Sequence, residues 1–71
     1  MELPVPWFKK RIADNDGFGD LSREMEQDTA LKAFPDLSWS EFEMHLKMRR
    51  HVPTVVFEIL DEARRLSEAG I

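Results

Sequence analysis

The run Leu37-Ser38-Trp39-Ser40-Glu41-Phe42 leaves the chain little choice but to start a helix. Ser38 and Glu41 have capping-box spacing: the Ser38 hydroxyl accepts from the Glu41 amide, and the Glu41 carboxylate reaches back to the Ser38 amide. Leu37 before the cap and Phe42 in the next turn suit a hydrophobic staple. Trp39, Phe42 and Leu46 recur at steps of three and four, which draws an apolar stripe on one face. Glu43 and Lys47 make a favourable i, i+4 pair. Arg49 and Arg50 bring positive charge to the negative end of the helix dipole. The pattern predicts a helix from Trp39 to about Arg50 on which the others pack.

Upstream, each of Pro4 and Pro6 disfavours helical geometry in the residue before it. Residues 1–5 are therefore expected to be an extended lead-in, with a first helix from Pro6, where the missing amide costs nothing, to about Ala13. Trp7, Phe8 and Ile12 face inward. Lys9, Lys10 and Arg11 form a basic group on the other side, either a solvated face or half of a basic patch for an acidic partner. The stretch 14–20 reads as a turn whose glycines close that helix and permit positive φ. It fails as a calcium loop. With Asp16-Gly17 as the central pair, Ile12 and Arg23 fall on the terminal ligand positions, and a start at Asp14 puts Met25 at the last.

A second helix is predicted from Asp20, as N-cap, to Asp28, with Leu21 and Met25 inward. The segment 14–28 carries six acids and one base, which is a solvated face or a negative surface for a basic partner. Thr29 to Asp36 either extends this helix or forms a separate turn. Phe34-Pro35 ends it, and the Phe34 ring is expected to plug the core edge. Pro53 restarts a helix that runs to about Glu68, with Gly70 at its end. Val52, Val56, Leu60 and Ala63 share one face, and Phe57, Ile59 and Leu66 widen it, so that helix is either deeply packed or open to a partner. The expected core holds Trp7, Phe8, Phe42, Val56 and Leu60. Met44 and Met48, opposite Leu46, are either a second packing surface for the last helix, which is the expectation, or adaptable contact residues. No segment alternates with period two. The expected architecture is all-α, one domain over residues 1–71, a compact bundle of four to five helices.

Composition bears on function mainly by what it withholds. There is no Cys, hence no thiolate nucleophile, disulfide or thiolate zinc site. Ser22, Ser38, Ser40 and Ser67 lack a motif. His45 and His51 lack ligand spacing, and the Glu41–His45 run lacks the first His of a zinc-protease motif. Gly17 and Gly19 form no phosphate loop. A chain of 71 residues has little room for a substrate pocket. An enzyme is disfavoured, and neither cofactor nor metal is expected. The net charge of −4 argues against a dedicated phosphate-backbone binder, unless the cations are segregated on one surface. No apolar run approaches a membrane span, and Met1–Pro6 lacks the features of a signal peptide, so the expected setting is cytoplasmic.

Several motifs together resemble a known family. Trp7-Phe8 opens an aromatic helix, Gly19-Asp20-Leu21 starts the next, and Met25, Asp28 and Phe34-Pro35 lead to the Trp39…Phe42…Leu46 helix. Phe57-Glu58-Ile59-Leu60-Asp61-Glu62-Ala63 resembles a final helix. Over about residues 7–65 this pattern is similar to the YozE-like, SAM-like domain of small bacterial proteins, although the connection from Asp28 to Phe34-Pro35 is longer. The resemblance implies a SAM-like helical bundle, a fold that serves protein–protein contacts or nucleic-acid binding.

The expectation is a non-enzymatic interaction module that binds a protein partner, such as an inhibitor or adaptor of phage, plasmid or bacterial type. One alternative is nucleic-acid binding through Lys9, Lys10 and Arg11 brought together with Lys47, Arg49 and Arg50. Another is self-association through the last helix. Candidate contact residues are Lys9, Lys10, Arg11, Lys47, Arg49, Arg50 and Trp39, because Trp is enriched at interface hot spots.

Overall fold

Proline and cap chemistry set where each helix begins. The structure, a computed structural model, describes residues 1–49 and 51–71. Among them are five α-helices and no strand: α1 (Pro4–Lys9), α2 (Gly17–Glu26), α3 (Thr29–Ala33), α4 (Trp39–Lys47) and α5 (Thr54–Glu68). No helix among the described residues is long and apolar enough to cross a membrane.

Helix α1 starts at Pro4, not Pro6. Both prolines lie in its first turn, where an amide has no intrahelical acceptor anyway. The first bond, from the Trp7 amide to the Leu3 carbonyl, falls just past them. After Lys9 the chain tightens into three-residue steps, with Arg11 bonding to Phe8 and Asp14 to Arg11. Ile12 is accordingly half-buried rather than a core residue.

The predicted turn at 17–19 is instead the first turn of α2. Asp16 is the N-cap, its Oδ1 accepting from the Gly19 amide at 3.0 Å. Neither glycine there has positive φ; among the glycines only Gly70 does. Gly19 serves close approach, since a Cβ there would stand 1.8 Å from the Asp14 carbonyl oxygen. The segment after α2 is a separate helix. Asp28 caps α3 by accepting from the amides of Ala30 and Leu31. The capping box of α4 is present in both directions, at 3.2 Å and 3.0 Å. Helix α5 ends in a Schellman motif: the Gly70 amide bonds to the Ser67 carbonyl, the Ile71 amide to that of Leu66, and Gly70 takes φ 81°.

Helix α2 packs on α1, α3 and α5, and α4 packs on α5. Trp7 lies at the centre of the core, edge-on to Phe8 (5.0 Å), Phe18 (5.3 Å) and Trp39 (6.1 Å), while Phe8 stacks on Phe42 at 5.9 Å. Such pairs add about 0.5–1.5 kcal/mol each beyond area burial. The Glu2 carbonyl accepts from both Trp39 Nε1 and Ser67 Oγ, each at 2.8 Å, and so ties the N-terminal segment to α4 and α5. The Ser22 hydroxyl, buried, donates to the Phe8 carbonyl.

Trp7, Phe8, Phe42 and Leu60 are buried as expected, whereas Val56 is half-buried. Three expectations are overturned. Trp39, expected on the apolar stripe and also as a contact residue, is 2% exposed: it keeps its place in the stripe and is no surface contact, its indole bonding to the Glu2 carbonyl. Phe34 is 60% exposed, because the short α3 ends before its ring can turn inward. Met44 and Met48, 59% and 80% exposed, face away from the stripe and meet no second packing surface. Helix α5 buries Leu60 and Ala63, with Val56, Phe57, Ile59 and Leu66 half-buried against the core, and its exposed positions are mostly charged, Thr54 and Val55 apart.

Candidate interaction surface

Among the described residues, the cations of the expected basic patch do not come together, because most are drawn to acids or carbonyls at different corners. Lys10 pairs with Glu2 at 2.7 Å. Arg11 lies over the Trp7 ring, 3.4 Å from its centroid, and donates to the Trp7 carbonyl (2.7 Å) and to the main-chain oxygen of Ile71 (2.5 Å). Lys47 stands 3.9 Å from Glu43, and Arg49 stands 3.5 Å from Asp28. Arg50 lies outside the described residues. Through Glu2, Lys10 belongs to the Trp39 end of α4, whereas Arg49 belongs to the far end. About 13 Å of helix separates those ends.

The elsewhere-used cations follow the same rule. Arg23 pairs with Asp20, Arg64 with Glu68 and Arg65 with Asp61. Among the described lysines and arginines, only Lys9 and Lys32 have neither an ion-pair nor a hydrogen-bond partner for their side chains. Both line the same open cleft, of about 170 Å³, between α1, α2 and α3. Its apolar walls come from Val5, Met25, Leu31 and Pro35, and Glu26 also borders it. Asp28 caps α3 as a helix separate from α2, and in it Leu31 is buried while Lys32 stays exposed.

A second, larger cleft of about 350 Å³ is polar and lies between α2, the end of α4 and the start of α5. At its edge His45 Nε2 lies 2.9 Å from Asp28 Oδ2. Burial pushes the Asp28 carboxyl up, but the hydrogen bonds from His45 and from the Leu31 and Ala30 amides, with the His45 charge, outweigh it and hold the group below its ordinary value. An ionised carboxylate only accepts, so Nε2 carries the hydrogen. These groups are committed to capping and clamping. Asp16 and Asp20 are likewise committed, the one as the α2 cap and the other to Arg23.

No protein-family model, curated protein or solved structure matches the chain.

Of the expected contact residues among the described residues, only Lys9 lines the apolar cleft; Lys10 and Arg11 are engaged by Glu2 and Trp7, and Trp39 is core. Lys32 was not legible as a site residue. It is the one cation of the stretch 29–36, and it shares a cleft with Lys9 only once α1 and α3 have both packed on α2.

Proposed function

We propose that this chain is a non-enzymatic interaction module that binds a protein partner. The observation that carries the reading is the cleft between α1, α2 and α3, where an apolar floor is flanked by two lysines that have no ion-pair or hydrogen-bond partner among the described residues. Apolar pockets with a polar, charged rim are where interface anchors seat. The reading is also supported by the engagement of Asp28 at the polar cleft, where it holds the α3 cap, His45 and Arg49. A cytoplasmic setting, the inhibitor or adaptor role, and kinship with the YozE-like, SAM-like bundles belong to the same proposal.

Affinity capture with the native chain and with a Lys9→Glu/Lys32→Glu variant tests it. A protein retained by the native chain and lost by the variant supports the reading. Equal retention by both, or no specific retention by the native chain, overturns it. Nucleic-acid binding is disfavoured by the pairing of Lys10, Lys47 and Arg49 with acids of the chain. Tight DNA binding with a steep salt slope would reinstate it. Self-association through α5 is disfavoured by the charged outer face of that helix.

A further inference from the structure

We infer that the α1–α2–α3 cleft seats one bulky apolar side chain, Leu or Phe, from an acidic segment of the partner. This deepens the interaction-module reading and rests on it. Size argues for a single side chain: the cleft holds about 170 Å³, and a cavity of about 150 Å³ is enough for a benzene ring. The walls argue for an apolar one. Val5, Met25 and Leu31 present only carbon and sulfur, and Met adapts its shape to an incoming group. The Ser22 hydroxyl at the cleft is already spent on the Phe8 carbonyl, so it offers an incoming polar group no free donor.

Charge argues for acidic flanks. In a chain of net charge −4, an acidic ligand meets general repulsion, so it binds only where cations stand unneutralised. Lys9 and Lys32 are exposed, on two different helices, and border the same apolar floor. Acidic residues on either side of the anchor can each reach an ammonium group. Glu26, at the same cleft, repels acids from its own side and so restricts how the segment lies across the floor. A nucleic acid would need further free cations along its path, and the neighbouring Lys10 and Arg11 are engaged elsewhere.

The test is an NMR titration of the full chain with short synthetic peptides in which one Phe is flanked by glutamates. Shifts confined to Val5, Met25, Leu31 and their neighbours are expected. Replacing the peptide's Phe by Ala should weaken binding roughly ten- to hundredfold, the effect of burying one large apolar side chain. Lys9→Glu/Lys32→Glu should weaken it by roughly tenfold or more, and added salt should do so progressively. Both lysines are exposed, so folding should persist; circular dichroism checks this, and Lys9→Gln/Lys32→Gln gives a milder second variant. Equal binding of the Ala peptide, equal binding of a lysine-flanked peptide, or occupation of the same residues by a single-stranded DNA oligonucleotide would each overturn the inference. The two levels separate cleanly. A captured partner that depends on Lys9 and Lys32, with no acidic peptide bound, leaves the module reading standing and removes the acidic anchor. Failure of both experiments removes both.

Discussion

His45 Nε2 lies 2.9 Å from Asp28 Oδ2, so the carboxylate that starts α3 is clamped from α4. Arg49 approaches the same oxygen at 3.5 Å. One side chain of 11% exposure thus joins α3 to the end of α4, across the gap that the polar cleft leaves open.

Acid should therefore loosen this corner. The Asp28 carboxyl titrates below its ordinary value in the folded chain, so the unfolded chain takes up its proton first as pH falls. Its contribution is complete above the ordinary aspartate value near 4 and is lost as pH drops through the lower folded value. Glu41, held low by its hydrogen bonds to the Ser38 amide and hydroxyl, acts in the same direction. Melting curves between neutral pH and pH ~3 should show a falling Tm that is shallower for Asp28→Asn. Asp28→Ala at neutral pH should cost about 1–3 kcal/mol through the lost cap and stranded partners. An unchanged pH profile in Asp28→Asn would count against the clamp.

The two glycines of α2 should respond differently to alanine. A Cβ at Gly19 would meet the Asp14 carbonyl oxygen at 1.8 Å and the Arg11 carbonyl oxygen at 3.2 Å, both backbone. Gly19→Ala should cost roughly 3 kcal/mol or more, or prevent folding. A Cβ at Gly17 would meet Ile59 Cδ1 at 2.8 Å, the flexible end of a side chain. Alanine's better helix propensity, up to about 1 kcal/mol, offsets that crowding, so Gly17→Ala should be near neutral. Urea midpoints of the two variants check the contrast.

Arg11 should matter for stability more than an exposed cation does. Its guanidinium covers the Trp7 ring and bridges two main-chain oxygens. Arg11→Ala should cost about 1–2 kcal/mol. Arg11→Lys should recover little of it, because an ammonium group cannot stack and fork at once. Thermal denaturation of the pair decides this; full rescue by Lys would reduce Arg11 to a point charge.

Met44 and Met48 should tolerate charge. Both project from the outward face of α4. Met44→Glu/Met48→Glu should shift the unfolding free energy by no more than about 0.5 kcal/mol per site. A substantially larger loss in chemical denaturation would mean that this face is packed after all.

Local chemistry was readable where it is complete within a few residues. The Ser38–Glu41 box, the Trp39–Phe42–Leu46 stripe and the Gly70 terminus lie close in sequence, and each appears where the pattern placed it. Boundaries were misread where a residue type has two uses. Gly17 and Gly19 suggest a turn, yet glycine also permits backbone approach, and only the path of 11–14 decides between them. Pro4 and Pro6 discourage the preceding residue from helical geometry, but the first turn tolerates both.

The all-α class, the cap of α4 and the aromatic core follow from the sequence by itself, because periodicity and capping act over one or two turns. Only the tertiary structure decided the rest: which cations would be neutralised, that the Trp39 indole bonds to the Glu2 carbonyl, and that Lys9 and Lys32 face one cleft. Those outcomes depend on distances between helices, and an ion pair or a shared pocket has no signature until the chain that separates its members has folded back.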